Sequence, residues 1–327
     1  MNLIGVDVDS LSLVCRIRRT GGTENSKIFP NNALGFQRFI RWATQRGQSA
    51  RVCMEATGVY SVPFAIALYE ADNIEPMVAN PRAIKKFADS TLQRGKTDDL
   101  DAGAMLNYLV RMPFKSWRPP TKEIQELQLI ARRIRQLDSE RTRENNRHKA
   151  ALRLGDVARV VANDTLVNAR HIERRMAMLQ HDALLLIEAT PELACQLDIL
   201  ISVTGIAAKS GMRILAELAT LPKDMSASQW VAHAGLDPRP YESGTSINKP
   251  RRITKQGNRY LRDALYMPAL VASQKDLNVS AFYQSLLSRG KKPMQAIVAI
   301  MRKLLHCIWG MFKNDEYWSG KRFYKIA

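Results

Sequence analysis

The sequence has few features of an exported, disulfide-bonded or membrane-spanning protein. Its 327 residues include only four cysteines, at positions 15, 53, 195 and 307, with no CxxC pair and no histidine at zinc-finger spacing. This pattern excludes a disulfide framework and a structural zinc site. The longest apolar segments, 184–187 and 297–301, are far shorter than the ~20 residues that cross a bilayer. The sequence also has no internal repeat and no low-complexity tract.

The first ten residues lack the pattern of a signal peptide. They carry Asp7 and Asp9, where a signal peptide would have a basic start followed by an apolar stretch. We therefore expect a soluble protein of the reducing cytoplasm, with no membrane partner.

Acidic residues are scarce relative to basic ones. The chain has 31 Asp and Glu against 49 Lys and Arg, which gives a formal net charge of +18. Such an excess favours a polyanionic partner, and nucleic acid is the leading candidate. Ribosome-associated and membrane-surface proteins share this bias. The length suffices for two or three domains of about 100–200 residues each.

The amino-terminal third alternates short apolar-polar runs with helical patterns. The pattern predicts strands over 3–8, 11–18 and 26–29, a helix over 34–45, a strand over 51–54, a helix over 60–70, a strand over 74–78 and a helix starting near Asp98. The resulting order, β-β-β-α-β-α-β-α, is that of the ribonuclease-H-like fold, a mixed sheet covered by helices. We expect this α/β domain to span residues 1–113.

The remainder is mainly helical in pattern. Pro113, Pro119 and Pro120 indicate a boundary, and Thr121 is a candidate N-cap for a long helix. An apolar stripe from Ile124 to Leu137 predicts pairing with a second helix within 167–188, and so a coiled-coil hairpin over 114–190. Residues 131–153 contain eight Lys or Arg, which fit either a phosphate-binding surface or an ordinary solvated face. A mainly α domain over 191–327 would complete the chain.

Four acidic residues fall where the predicted fold could bring them together. Asp7 lies in the first strand, Glu55 at the end of the fourth, and Asp98 and Asp101 in the first turn of a helix. Residues three apart share a helix face, and a sheet that joins strands one and four would add the other two. Carboxylate oxygens suit Mg²⁺, and paired ions assist phosphodiester chemistry. Ordinary surface acids are the alternative, although an unpartnered Asp7 inside an apolar strand would be costly.

Three motifs in this region resemble those of a known family. The stretches GVDVDS (5–10), MEATGVY (54–60) and GKTDDLDA (95–102) are similar to the acidic motifs of the DEDD transposases of the insertion-sequence 110 family, particularly its 1111 subgroup. The resemblance implies a RuvC-like domain in which Asp7, Glu55, Asp98 and Asp101 are catalytic and bind Mg²⁺ or Mn²⁺.

A basic segment with a serine follows in the last third. Between residues 249 and 262 no residue is acidic and six are basic: Lys249, Arg251, Arg252, Lys255, Arg259 and Arg262. These predict a phosphate-contacting surface. Just upstream, Ser243-Gly244 would by itself indicate only a turn. The segment 234–265 resembles the transposase domain of the same family, which implies that Ser243 is a nucleophile activated by docking against the acidic site, in the same or another subunit. Ser246 is the alternative if the register slips.

The segment 202–218, SVTGIAAKSGMRILAEL, is typical of a helix-hairpin-helix motif. Loop amides at Gly205 and a following helix that carries Lys209 would contact DNA phosphates without reading bases. The sequence lacks the second glycine usual in this motif, so a plain packing element is the alternative.

The resemblance has further implications for partners. It implies action on donor and target DNA, guidance by an element-encoded RNA, a homo-oligomer (dimer or tetramer), and a location at the bacterial nucleoid. The sequence contains no recognisable RNA-binding signature such as an RRM. We therefore expect a DNA transposase or recombinase that uses a metal site and a serine. The alternatives are a structure-selective endonuclease that uses metal-activated water, and a nucleic-acid-binding scaffold without chemistry.

Overall fold

The computed structural model describes residues 1–56, 58–91, 97–239, 242–243, 247–248 and 252–326. The chain forms two compact units, Met1–Pro119 and Pro120–Ala327.

The first unit is built on a five-stranded mixed sheet. Its strands are β1 (Asn2–Val8), β2 (Ser12–Arg18), β3 (Glu24–Pro30), β4 (Ala50–Glu55) and β5 (Ile74–Ala79), and its helices are α1 (Ala33–Ala43), α2 (Val62–Tyr69), α3 (Pro81–Ser90) and α4 (Asp98–Arg111). The spatial order is β3-β2-β1-β4-β5. Strand β2 pairs antiparallel with both β1 and β3, whereas β1, β4 and β5 run parallel.

The predicted strands and three of the four helices are confirmed, and α3 was missed. That helix is short and mostly polar in sequence, and it buries only Ile84. The Asn80-Pro81 pair was the available signal, because Asn80 caps the helix and proline favours its first position.

The period-two alternation of β1 divides its side chains between two layers. Ile4, Val6 and Val8 are buried in a cluster with the phenylalanines of α1 and α2. Residues 3, 5 and 7 lie on the opposite face, where α4 crosses the strand. The face that carries Asp7 is therefore the face covered by α4.

Gly5 sets how closely α4 approaches β1. A Cβ at this position would lie 2.1 Å from the carbonyl oxygen of Ala102 and 2.3 Å from the backbone nitrogen of Leu106. Both are backbone atoms, so no side-chain movement could relieve the overlap. The missing side chain thus lets the helix that begins with Asp98 and Asp101 rest directly on the strand that ends near Asp7.

The second unit is helical. It contains α5 (Lys122–Leu152), α6 (Arg159–Glu188), α7 (Pro191–Ile201), α8 (Ala208–Leu218), α9 (Ala227–Ala234), four two-residue strands β6 (Pro238–Arg239), β7 (Glu242–Ser243), β8 (Ile247–Asn248) and β9 (Arg252–Ile253), and then α10 (Arg259–Lys275), α11 (Leu277–Ser288), α12 (Pro293–Asn314) and α13 (Gly320–Phe323). Thr121 caps α5 as predicted, since its side chain accepts a hydrogen bond from the Ile124 amide.

Helices α5 and α6 form the predicted antiparallel hairpin. Leu127, Ile134 and Leu137 of α5 share one buried core with Ile172 and Met176 of α6, and that core continues into α7–α13. Among the described helices, α12 alone is long and apolar enough to cross a membrane by length and composition. Its residues Ile300, Leu304 and Ile308 are fully buried in this core.

We predict that Gly5→Ala will separate α4 from the sheet and destabilise the first unit by about 2–3 kcal/mol. Gly103 on α4 is the matched control, because a Cβ there would meet only the flexible Arg16 side chain, at 3.2 Å. Gly103→Ala should therefore cause no loss, and better helix propensity would add up to about 1 kcal/mol. Urea unfolding followed by circular dichroism measures both. Equal stability of the two variants would contradict the close-contact argument.

Candidate functional site

The predicted acids lie at one edge of the first unit. Val6 of β1 pairs with Met54 of the parallel strand β4, so Asp7 and Glu55 follow as neighbours at the carboxyl ends of adjacent strands. Asp98 and Asp101 occupy the first turn of α4, which Thr97 caps by accepting a hydrogen bond from the Leu100 amide. The parallel pairing and the helix cap together place both pairs of acids at the same end of the sheet.

The charges of these acids act on one another. Burial raises the pKa of Asp7 from its ordinary 3.8 to about 6, and the negative charges of Asp101, Asp98 and Glu55 contribute to the rise in that order. Repulsion from three carboxylates requires that all of them lie near Asp7. The four acids predicted from the sequence therefore form one electrostatic cluster.

The donor chemistry of this cluster suits a hard divalent cation. Carboxylate oxygens are the ligands that Mg²⁺ and Mn²⁺ prefer, and a cation would offset the repulsion felt by Asp7. In the part of the chain that the structure describes, no group of three or more His, Cys, Asp or Glu side chains is close enough to enclose a metal ion as it stands. The cluster thus supplies the donors without forming a closed cage.

Asp99, between the two helix acids, makes the contacts of an ordinary surface acid. It accepts a hydrogen bond from the Ser26 hydroxyl at 2.6 Å and pairs with Arg16 at 3.5 Å. These contacts fix the start of α4 on the β2–β3 side of the sheet, and Asp99 is not among the acids that shift the pKa of Asp7.

We predict a pH-dependent gain of stability for Asp7→Asn. The native pKa of Asp7 lies above its ordinary value, so between pH 3.8 and about 6 the folded protein holds a proton that the unfolded chain loses. Stability of the wild type therefore falls as the pH rises through this range. In EDTA, Asp7→Asn should be more stable than wild type on the order of 1 kcal/mol at about pH 8, a value reduced for solvent screening at this half-buried site, and equal to it at about pH 4.

The exposed Asp9 provides the control for that experiment, which denaturant unfolding at the two pH values would measure. Asp9→Asn removes an exposed acidic charge that is not among those acting on Asp7. A stability difference for Asp7→Asn that did not depend on pH would show that Asp7 is not repelled by its neighbours.

In the second unit, Ser243 lies in a loop of paired strands that we call the serine loop (residues 235–258). Strand β6 pairs with β9, and β7 pairs with β8, with Ser243 opposite Ile247. The backbone of Ser243 is thus placed in β7, whereas its side chain, Ser246, Lys249 and Arg251 lie outside the described residues.

Hydrogen bonds close the base of the serine loop. The Thr254 amide and hydroxyl donate to the backbone oxygen and carboxylate of Asp237, and the Lys255 amide donates to the Gly235 oxygen. Arg262 of α10 donates to the Ala234 oxygen at 2.7 Å. Burial lowers the pKa of Arg262. This arginine, predicted to contact phosphate, therefore holds the end of α9 against α10.

The other predicted cations of this segment are more accessible. Arg252, Lys255 and Arg259 are exposed, and the Arg259 guanidinium lies 5.0 Å from the centre of the Tyr260 ring. In the basic stretch 131–153, five of the eight cations pair with carboxylates: Arg132, Arg133, Arg135, Arg141 and Arg147. The solvated-face interpretation accounts for most of that stretch.

Gly205 lies in the turn between α7 and α8, and Lys209 follows at the start of α8. Gly205 has a φ of +94°, and a Cβ there would lie 2.7 Å from the Pro268 oxygen of α10. Its glycine identity therefore follows from the turn and from packing on α10. Lys209 is exposed in the first turn of α8.

A buried network next to the serine loop was missed by the sequence analysis. Glu217 of α8 is 1% exposed and accepts two hydrogen bonds from Arg132 of α5, at 2.8 and 2.9 Å. It also accepts one from the Asn258 side chain at 2.6 Å. Asn258 in turn caps α10 through its side-chain oxygen, which accepts from the Tyr260 and Leu261 amides. The network fixes the residue at which the serine loop ends. An acid within the apolar stretch ILAEL was the available signal.

We predict that Asn258→Asp will destabilise the second unit by about 2–4 kcal/mol although it preserves the cap. The new carboxylate would keep the oxygen that accepts from α10, but it would lose the donor and face the buried Glu217 carboxylate. Adding Glu217→Gln should restore much of the loss, because the glutamine can donate to the introduced aspartate and leaves one negative charge for Arg132. Urea unfolding of the single and double variants measures both. Additive losses in the double variant would contradict a direct contact between the two side chains.

Comparison with known proteins agrees with both parts of this description. Residues 4–155 match the family model of the DEDD transposases of the IS110 type, and residues 197–284 match that of the transposase IS116/IS110/IS902 family. Pilin gene-inverting proteins of Moraxella lacunata and Moraxella bovis are each 31% identical over 325 residues, covering 96% of both chains. An uncharacterized 43.6 kDa protein of insertion element IS110 from Streptomyces coelicolor is 26% identical over 47% of this chain and 36% of its own length.

The first match contains the acidic cluster, and the second contains Ser243 and its loop. The full-length similarity to the Moraxella proteins joins the two in one chain. The protein therefore belongs to the IS110 family of transposases and is a DNA transposase or recombinase.

Proposed function

We propose that the protein cuts and rejoins DNA strands through a covalent bond to Ser243, at a divalent-metal site formed by Asp7, Glu55, Asp98 and Asp101. The observation that carries the proposal is the convergence of three negative charges on the half-buried Asp7, whose pKa is raised to about 6. A cluster of this kind is unfavourable in isolation and common where a cation and a phosphodiester are brought together.

Family membership supports the metal assignment. Divalent-metal dependence is general among DEDD transposases. Mg²⁺ or Mn²⁺, when bound, would neutralise the negative charge that develops on the phosphoryl oxygens. The chain's own contribution is to hold four carboxylates at one sheet edge, through the pairing of β1 with β4 and the contact of α4 with Gly5. The strand order β3-β2-β1-β4-β5 supports a RuvC-like, ribonuclease-H-like domain.

The proposed reaction conserves the number of phosphodiester bonds. The Ser243 oxygen forms a bond to phosphorus, and the bond from phosphorus to one nucleoside oxygen breaks. That oxygen leaves with the proton lost by the serine. Attack on the phosphoserine by a hydroxyl of another DNA strand then reverses the step, so that rejoining needs no ATP.

The exposed cations of the second unit are proposed to hold DNA backbone near the serine loop. Arg252, Lys255 and Arg259 are accessible to phosphate, and Lys249 and Arg251 belong to the same run in sequence. Arg262 contributes indirectly by fixing the base of the loop. Lys209 at the start of α8, next to the Gly205 turn, adds a contact of helix-hairpin-helix type.

The wider assembly rests on the family resemblance. Donor and target DNA, an element-encoded guide RNA and a homo-oligomer form part of the proposal, with the reaction taking place on DNA in the bacterial cytoplasm. The Moraxella relatives are named for gene inversion. Gene inversion and transposition both require DNA strands to be cut and rejoined. The name of the relatives and that of the transposase family therefore both support recombination between DNA sites.

We predict that Ser243→Ala will abolish both a covalent protein–DNA adduct and recombinant product while leaving DNA affinity within about twofold. Ser246→Ala is the matched control and should retain both. Labelled DNA that carries the element ends would be incubated with protein, flanking RNA and Mg²⁺, and the adduct would be mapped by mass spectrometry. An Asp98→Ala, Asp101→Ala double variant should bind DNA and form no adduct.

Two results would contradict the proposal. Strand cleavage by Ser243→Ala at the wild-type rate would indicate a nuclease that uses metal-activated water. Binding without cleavage by the wild type under every metal and RNA condition would indicate a scaffold.

A further inference from the structure

A groove lies beside the base of the serine loop, within the second unit. It has a volume of about 880 Å³ and runs between α12, the loop base and the segment that follows α12. Leu236, Pro238 and Ile253 line it from the loop base, and Val298, Ala299 and Met311 line it from α12. The floor of the groove, on the side away from solvent, is thus apolar. The volume of the groove lies within the range of small-molecule sites.

The charged residues of the groove all have one sign. None of its lining residues is acidic, whereas Arg302, Lys303 and Arg322 are basic. Arg322 pairs with Glu316, but Arg302 and Lys303 have no ion pair with any described carboxylate. The Lys303 ammonium lies over the Phe282, Phe323 and Tyr324 rings, at 4.5, 4.9 and 5.3 Å from their centres. Two cations are therefore available to an anionic ligand.

The groove also presents aromatic and hydrogen-bonding groups. Trp318 is held in place because its indole N–H donates to Asp276 and its backbone amide donates to the Ser202 hydroxyl, each at 2.9 Å. Tyr317, 60% exposed, donates to Asp198 at 2.6 Å. Burial and the neighbouring Arg302 lower the pKa of His306, so its imidazole is neutral near pH 7 and has both a donor and an acceptor. Planar rings of this kind are stacking platforms for nucleobases.

We propose that this groove binds one unpaired nucleotide of a nucleic-acid strand, with its base against the apolar surface beside Trp318 and its phosphate at Arg302 and Lys303. An apolar peptide would leave the two cations unpaired, and duplex DNA could not insert a paired base. The choice of nucleic acid as ligand rests on the proposed function. The groove shares Leu236 and Ile253 with a second cavity of about 650 Å³ that contains Arg143 and Arg259. A strand that follows both cavities would pass the base of the serine loop.

Photo-crosslinking and affinity measurements test this inference. The probes are a short single-stranded DNA that contains one iodouracil, the RNA of the same sequence, and the DNA duplex. Wild type should crosslink a single strand at Tyr317 or Trp318. Ala299→Trp, which fills the groove, should remove that crosslink and weaken single-strand binding about tenfold, with duplex affinity unchanged. Lys303→Met should lower the salt slope of single-strand binding by about 0.7.

The controls separate this inference from other effects. Lys313→Met lies on the same helix, over Trp309 and outside the groove, and should retain the crosslink. Ser243→Ala should also retain the crosslink, because Ser243 is not among the described residues that line the groove. Absence of a covalent adduct in the wild type would overturn the proposed reaction and leave the groove assignment standing. Crosslinking by DNA alone or by RNA alone would support nucleotide binding in the groove and identify which kind of strand enters it. Equal losses of single-strand and duplex affinity in Ala299→Trp, or crosslinks confined to other segments, would overturn the inference.

Discussion

Repulsion among four carboxylates is the constraint around which the first unit is organised. Asp7 is half-buried and faces the charges of Asp101, Asp98 and Glu55, an arrangement that costs stability at neutral pH. The parallel pairing of β1 with β4 and the contact of α4 with Gly5 hold the acids at the same end of the sheet. We propose that a cation and a phosphodiester relieve this repulsion during function.

In the second unit, hydrogen bonds hold a polar loop in place. The serine loop begins and ends at residues fixed by backbone hydrogen bonds and by the buried Glu217, which binds Arg132 and Asn258. Because Arg132 belongs to α5 and Asn258 caps α10, the long hairpin and the loop are joined through one carboxylate. The groove next to this base extends the same surface to α12. The proposed reactive and binding groups are thus carried by a helical core.

The sequence predicted the elements whose patterns are local. Alternation identified Ile4, Val6 and Val8 as a strand, and Thr121 marked the start of α5. The four acids were found because each lies in a recognisable motif at a strand end or helix start. Helix α3 was missed because it buries a single residue, and Glu217 because its partners are 85 and 41 residues distant. The structural role of Arg262 was also hidden, since nothing local distinguishes a cation that binds a carbonyl from one that binds phosphate.

We propose that Asp7, Glu55, Asp98 and Asp101 form a divalent-cation site, and calorimetric titration of Mn²⁺ into the protein tests this proposal most directly. With a pKa of about 6, Asp7 is half-protonated at that pH and must lose its proton to bind a cation. Titrations in buffers of different ionisation enthalpy should therefore show release of about half a proton at pH 6 and almost none at pH 8. No Mn²⁺ binding at either pH, or proton release that is the same at both, would contradict the claim.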